Sequence, residues 1–375
     1  MYKLIWILPF KVGRKKPKLK DAELINIFDR RYFVKRTYSL FGPIYRIYKG
    51  SLSLDLYARW NELLTLYKDR SEIEVDIDKI KNIILDSKVS VEIYIATKWK
   101  IGVVVLTLTL TRKLSSSELI LLIRTFRRRR TSLSLLSLKG QSTLTATEGL
   151  IRFLTNILEP YGIGLSWDEI LEDLYYFVII DKSIKVDYSK QQILGIFTGT
   201  LYYADASDKD LKRLRREIVE MRKGELIFLG SYSGGAFIGL DEKATIKFYK
   251  NLAIILLLIK HIVTLMYVDS IEVLLSKKYK VKDLRRLLNN INTAKLLITP
   301  YSLTNAYKFN NELLPIFLKN TKIRDIDKSL GEIITVIESM ISKEYIEKIQ
   351  LLLLLLTIVM FVLALLQVVK ILGIF

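Results

Sequence analysis

The sequence has no cysteine and a single histidine, His261, among its 375 residues. Without cysteine the chain forms no disulfide and offers no thiol nucleophile or thiolate ligand for zinc or an iron–sulfur cluster. One histidine excludes any metal site within the chain that needs two, and it argues against a Ser–His–Asp triad. We identify no catalytic, cofactor-binding or metal-binding residue, and the sequence therefore favours a non-enzymatic role.

The charge is strongly one-sided, with 59 Lys and Arg residues against 39 Asp and Glu residues, a formal net charge of +20 and a pI of about 9.7. Such a balance indicates an anionic partner, either the anionic leaflet of a membrane or nucleic acid. The scarcity of Cys, His and Met beside abundant Ile, Lys, Arg and Tyr resembles the composition of hyperthermophile proteins. We therefore expect a thermophilic, archaeal source.

The longest apolar run is LLLLLLTIVMFVLALLQVV, residues 351–369, in which Thr357 and Gln367 are the only polar residues. As a helix it would measure about 28 Å, close to the hydrocarbon thickness of a bilayer. The sequence therefore predicts one transmembrane helix here. Residues 252–268 are the rival segment, but Lys260 and His261 lie at their middle, and a central lysine costs about 2.5–3.5 kcal/mol on insertion. We interpret that stretch as a core helix, with a second span as the alternative.

The first residues do not have the pattern of a signal peptide. The apolar run Leu4–Leu8 stops at Pro9, which is too short for the hydrophobic region of such a signal. We interpret residues 2–8 as a first strand. With the only predicted span near the end, we expect a single-pass protein of the cell membrane whose bulk is cytoplasmic.

An apolar seam precedes the predicted span. Its six residues are spaced by 3, 4, 3, 4 and 3, the a and d pattern of a coiled coil; they are Ile323, Ile326, Leu330, Ile333, Ile337 and Met340. No proline or glycine follows Gly331 before the span, so we predict one continuous stalk helix over about 323–370. The seam predicts a homo-oligomer.

The rest of the chain predicts an α+β fold. Period-two alternation predicts strands at 89–97 and 101–111, with Val104, Leu106, Leu108 and Leu110 on the buried face. A hairpin is expected over 44–57, turning at Lys49-Gly50. Further along we predict strands at 175–181 and 192–203, a charged helix over 209–223, and a hairpin formed by 226–230 and 236–240. The predicted organisation is an α+β unit 1–140, a second α+β unit 141–240 that can form one domain with the first, a helical region 241–322, a stalk 323–350 and a transmembrane helix 351–369.

Four consecutive arginines end a predicted amphipathic helix, namely Arg127, Arg128, Arg129 and Arg130. They are candidates for contact with anionic lipid or phosphate. The alternative is a solvated helix end, where cations also suit the helix dipole. Four successive residues cannot share one helical face, which argues against insertion into a nucleic-acid groove.

A mixed α/β domain, then helices, then a long stalk entering the membrane is similar in layout to the CorA-type divalent-cation channels. That family carries a Gly-Met-Asn after its first span and a second span behind it, whereas this chain closes on VVKILGIF. The similarity covers layout alone and implies no pore residue. We expect a membrane-anchored scaffold, sensor or adaptor. The alternatives are a pore-forming or transport subunit and a membrane-tethered nucleic-acid-binding protein, in which tyrosines such as Tyr175, Tyr176, Tyr202 and Tyr203 would stack on bases.

Overall fold

The computed structural model describes residues 2–12, 19, 22–28, 33–56, 79, 82–83, 88–110, 114–115, 118–119, 136–138, 146–163, 175–181, 207–209, 212, 216–222, 224–229, 234–240, 243–276 and 279–371. The strands are β1 (Tyr2–Lys11), β2 (Glu23–Leu24), β3 (Ile44–Leu56), β4 (Lys88–Ala96), β5 (Ile101–Leu110), β6 (Leu136–Leu138), β7 (Tyr175–Asp181), β8 (Ile218–Arg222), β9 (Glu225–Leu229) and β10 (Gly234–Leu240). The α-helices are α1 (Lys35–Phe41), α2 (Ala146–Leu158), α3 (Lys243–Leu275), α4 (Val281–Ile298), α5 (Leu314–Asn320) and α6 (Ile323–Ile371).

The described strands form one mixed sheet, in the order β2-β3-β4-β5-β1-β7-β10-β9-β8, with β6 paired to the far end of β3. The β7–β10 pair is parallel, while the other pairs along this path are antiparallel. The sheet joins strands from both segments that the sequence separates at residue 140, because β1 pairs with β5 on one side and β7 on the other. The α+β class is confirmed as a mixed sheet with helices and a long apolar C-terminal helix.

Both faces of the central strands are buried, which corrects the expectation of one buried face in β5. Val103 and Val105 are as fully buried as Val104 and Leu106. Strands covered on both sides consist of nearly continuous apolar residues, as in IGVVVLTL. β1 also passes through Pro9, which pairs with Val103 beyond the stretch of β1 that pairs with β7. Proline is tolerated there because one side of β1 no longer needs a backbone donor.

Several predicted elements are confirmed, one is wrong and one is confirmed only in part. The β4–β5 hairpin, β7 and the β9–β10 hairpin form as expected, while 192–203 lies outside the described residues. The predicted hairpin over 44–57 is instead the single strand β3, in which Lys49 and Gly50 pair with Glu92 and Val91 of β4. The pairing of β3 with β4 contains a register shift between Arg46 and Tyr48.

The charged helix predicted over 209–223 is confirmed only at its start, where Lys209 and Lys212 are helical. Its last part is a turn at 216–217 followed by β8, which pairs antiparallel with β9. Val219 is buried opposite Ile227 in that pair. Pairing to an exposed sheet edge outweighs the helix preference of the Glu, Met and Arg residues around it.

α3 packs on the sheet face that carries Glu92. The Lys250 ammonium donates to the Glu92 carboxylate, and the Tyr249 ring lies 5.2 Å from that of Phe237 on β10. The Tyr249 hydroxyl also donates to the Glu225 carboxylate over 2.7 Å. These contacts place the apolar run 252–259 of α3 in the core, where each of its residues is buried.

The chain divides into two compact units. The first consists of Met1–Ile262 and Leu296–Arg324 and contains the sheet with its covering helices. The second consists of Val263–Lys295 and Asp325–Phe375, and its described part is helical except for Ser276, Tyr279 and Lys280 between α3 and α4. Within the second unit α4 and α6 run antiparallel, because Lys295 pairs with Asp327 and Arg285 contacts Tyr345.

Candidate membrane segment and buried polar cluster

The C-terminal half of α6 is apolar and uncovered. Its large apolar side chains between Leu351 and Leu366 are each between 48% and 67% exposed. We call residues 351–367 the apolar segment. An exposed apolar surface this long and continuous marks a site that contacts lipid or another protein, because soluble monomers rarely display one. No described part of the chain covers it.

Two described helices are long and apolar enough to cross a membrane, and they differ in their surroundings. In α3, 61% of the most apolar window is buried inside the protein, whereas in α6 none of that window is. The α3 helix therefore buries most of its apolar surface within the fold. The α6 helix does not.

Thr357, a polar residue within the apolar segment, makes its hydrogen bond internally. Its hydroxyl donates to the backbone carbonyl of Leu353, one turn earlier, over 2.8 Å. A hydroxyl satisfied in this way can enter hydrocarbon without an unpaired donor. Gln367 lies at the end of the segment, where a side-chain amide can reach the interface. The segment thus carries no polar group that forbids burial in lipid.

The predicted oligomer seam lies on the N-terminal half of α6. Ile323, Leu330, Ile333 and Ile337 are buried within the chain, and Ile326 and Met340 are half-buried. α4 is the antiparallel neighbour of this part of α6 and carries a buried apolar stripe that includes Leu284 and Ile291. The chain itself thus covers much of the seam, and contact between two copies through this face stays a prediction.

A cluster of charged side chains lies on the sheet face under α3, in the first unit. Its centre is Glu92 of β4, which accepts from Lys250 and has the Arg46 guanidinium 3.6 Å away. Arg46 also pairs with Glu23 on β2. Glu92 and Lys250 are largely buried, with side chains 11% and 18% exposed. A carboxylate so placed is compensated by cations from two other elements.

The burial of this cluster changes its titration. Burial alone would raise the pKa of Glu92, but the Lys250 ammonium, with Tyr94 and Arg46, lowers that pKa below its usual range. Burial also lowers the pKa of Lys3, and the neighbouring Lys250 charge lowers it further. Burial, reinforced by the Glu92 carboxylate, raises the pKa of the Tyr94 phenol. At neutral pH Glu92 is therefore ionised and Tyr94 is neutral.

This arrangement attaches a helix to a sheet. A buried carboxylate paired with Lys250 and Arg46 holds fixed partners, while acid–base chemistry needs a second group poised to exchange a proton. The sequence gives one indication of this charged cluster, which is Glu92 as the single acid in the apolar strand VSVEIYIA. It gives no signal for Lys250, which lies 158 residues later along the chain. Among the described residues no group of three or more His, Asp or Glu side chains could hold a metal ion.

Arg127, Arg128, Arg129 and Arg130 lie outside the described residues, so their contact with lipid or phosphate stays a prediction. No protein-family model, curated protein or solved structure matches the chain. The functional argument therefore rests on the geometry of the chain itself.

Proposed function

We propose that this chain is a membrane-anchored protein, held in the bilayer by a single span at residues 351–369, with its bulk on the cytoplasmic side. Its role is that of a scaffold, sensor or adaptor at the membrane surface. The observation that carries the proposal is the exposure of the whole apolar segment in a chain whose other long apolar helix is buried.

The energetics of transfer support the anchor. Leu, Ile, Phe and Val each contribute about −0.3 to −0.6 kcal/mol to insertion at the centre of a helix. The segment consists mainly of these residues and contains no charge to oppose them. The proposed span 351–369 is about 28 Å long as a helix, which crosses the hydrocarbon without requiring tilt. Since α6 continues without a break from residue 323, the same helix forms the stalk and the span.

The proposed orientation is supported by a small excess of basic residues before the segment. Lys343 and Lys348 lie eight and three residues before the segment, and Lys370 follows it. Basic residues close to the end of a span favour retention of that end in the cytoplasm. The basic composition of the whole chain agrees with that side, although long domains contribute little to orientation.

The anchor is tested with the full chain and three charges inside the segment. Leu356→Lys, Val359→Lys and Leu363→Lys together add a penalty of about 2.5–3.5 kcal/mol each, which exceeds the favourable sum. The expected result is that the parent protein stays in the membrane pellet after alkaline extraction, whereas the triple variant leaves it. The matched control replaces the same residues by Ala and should remain in the pellet. Release of the unmodified parent would overturn the proposal.

The side on which the body lies is tested separately. Because the chain has no cysteine, Tyr307→Cys supplies one exposed thiol in the first unit. A membrane-impermeant maleimide should label it in inside-out vesicles and leave it unlabelled in intact cells. Labelling in intact cells would reverse the orientation while keeping the anchor.

The two alternative functions are a pore subunit and a nucleic-acid binder. For a pore, the segment offers Thr357, whose hydroxyl is bonded to its own helix. For nucleic acid, Tyr175 is buried in the sheet and unavailable for stacking on bases. No observation on the described residues favours either function over the anchor.

A further inference from the structure

The second unit brings basic residues from two helices towards the start of the apolar segment. α4 and α6 are antiparallel, with Lys295 on Asp327 at one end and Arg285 on Tyr345 at the other. Tyr345 lies six residues before Leu351, which is about 9 Å along the helix axis. The N-terminal end of α4 therefore lies on the side of this pair that approaches the segment.

The contact between Arg285 and Tyr345 fixes this end of α4. The guanidinium donates to the tyrosine hydroxyl and lies 5.2 Å from the ring centre. Going from Arg285 back to Lys282 and Lys280 along the chain leads towards the apolar segment, because the helices are antiparallel. The headgroup layer extends about 5–8 Å beyond the hydrocarbon on each side. We therefore expect these lysines, whose side chains are several ångströms long, to extend towards that layer.

The charge of this end is unbalanced. Six exposed cations lie there, and three acidic residues accompany them. The cations are Lys280, Lys282, Arg285, Arg286, Lys343 and Lys348; the acids are Asp283, Glu344 and Glu347. We call these six cations the basic collar. At the opposite end of the α4–α6 pair, three cations are matched by three acids, and Glu338 lies between the two ends. The excess of cations is therefore on the side near the segment. The three cations are Lys295, Arg324 and Lys328, and the three acids are Asp325, Asp327 and Glu332.

Two partly exposed tyrosines accompany the collar. Tyr279 precedes α4 and is 36% exposed, and Tyr345 on α6 is 39% exposed. Tyrosine is enriched at the level of lipid headgroups, since its ring is apolar and its hydroxyl remains hydrated. Ile346 and Ile349, also exposed, continue the apolar surface from the segment into this region. Basic, aromatic and apolar side chains thus lie together just before the apolar segment.

We propose that the basic collar binds the phosphate-bearing headgroups of anionic phospholipids around the point where α6 enters the bilayer. The inference rests on the proposed membrane anchor and specifies its lipid partner. Lys and Arg near an anionic leaflet each strengthen association by about fivefold, and this attraction weakens with salt. Because the anionic leaflet is the cytoplasmic one, the collar also favours the proposed orientation.

The test uses the full chain in vesicles, with a fluorophore on the single thiol of Tyr279→Cys. Vesicles contain phosphatidylcholine with 30% phosphatidylglycerol, and either lipid carries a nitroxide near its headgroup at the same mole fraction. Labelled phosphatidylglycerol should quench the fluorophore at least twice as strongly as labelled phosphatidylcholine. The ratio should fall towards one in Lys280→Gln/Lys282→Gln and should be unchanged in the matched control Arg324→Gln/Lys328→Gln.

A second measurement keeps the test independent of any substituted charge. Raising the salt concentration from 0.05 to 0.5 M should lower the quenching ratio of the labelled protein towards one. Equal quenching by both lipids at low salt, from protein that floats with the vesicles, would overturn the collar and leave the anchor intact. Failure to float at all would instead overturn the anchor.

Discussion

α3 and α6 contain similar apolar runs that meet different surroundings. The run 252–259 of α3 lies against a sheet and is fully buried, whereas 351–367 of α6 is exposed along its whole length. In α3 the flanking residues Tyr249, Lys250 and Lys260 each contact a side chain of the sheet. In the apolar segment the hydrogen bond of Thr357 stays within the helix. The two runs have similar hydropathy. They differ in whether the polar residues near them contact the sheet, as in α3, or bond within their own helix, as in α6.

The largest expected difference between the two runs comes from placing a lysine in each of them. Leu256→Lys introduces no acidic partner and buries the new ammonium among apolar side chains of α3. Full burial lowers the pKa of a lysine by up to about 3–5 units. We expect the free energy of unfolding in detergent to fall by more than about 4 kcal/mol at pH 7. Denaturant titration followed by circular dichroism measures it.

The matched substitution is Leu356→Lys in α6. Since Leu356 is 52% exposed, the free energy of unfolding of the body should change by less than about 0.5 kcal/mol. Insertion of the segment should weaken by about 2.5–3.5 kcal/mol, measured as the inserted fraction in a translation assay with microsomes. Equal loss of folding free energy in Leu256→Lys and Leu356→Lys would contradict the view that one run is buried in the fold and the other is exposed.

A smaller effect is expected from the pairing that holds α3 to the sheet. Glu92→Gln leaves Lys250 and Arg46 partly buried beside a neutral amide, and loss of one partner of a buried pair typically costs about 3–5 kcal/mol. In the parent, the pKa of Glu92 is lower in the folded protein than in the unfolded chain, where it is 4.5. The ionised carboxylate therefore stabilises the fold fully above pH 4.5, and this stabilisation is lost as the pH falls through the folded pKa. The stability difference between parent and variant should therefore shrink below pH 4.5. A difference that is constant from pH 7 to pH 3 would contradict this role.

The smallest effect is expected where α3 is made as apolar as α6. Lys260 lies 5.0 Å from the ring centre of Tyr175, and such contacts contribute about 0.5–2 kcal/mol. Lys260→Leu/His261→Leu should lower stability by no more than that and should leave α3 within the fold. Cysteines at Lys247 and Glu272, introduced one at a time, should then react with an impermeant reagent from the same side. Reaction from opposite sides would mean that hydropathy, and not packing on the sheet, decides where α3 lies.

The sequence predicts local features of this fold better than it predicts pairing. Alternation of apolar and polar residues identifies β4 and the second half of β5, and the apolar run of α6 is identified by length alone. The Lys49-Gly50 pair resembles a hairpin turn, yet β4 runs beside it and keeps β3 extended. Residues 218–222 form a strand because β9 offers an edge. Both errors arise from partners distant in sequence, which local preferences do not encode.

The candidate sites show the same division. The apolar segment is evident from composition, but its exposure depends on which surfaces the rest of the chain covers. Glu92 stands out as an acid in an apolar strand, while its partner Lys250 requires the folded sheet to be found. The seam on α6 has the spacing of a coiled coil, and an antiparallel helix of the same chain produces the same spacing because any helix partner requires a continuous apolar stripe.

The position of β1 has a consequence for the order of folding. β1 is synthesised before both of its neighbours and lies between β5 and β7, so its two edges are paired only by segments ending near residues 110 and 180. Until those segments emerge, an apolar strand with two unpaired edges is exposed, and contacts of such long sequence separation form slowly. Nascent chains stopped before residue 175 should therefore depend on chaperones, and those that already include α3 and α5, which complete the first unit, should depend on them less.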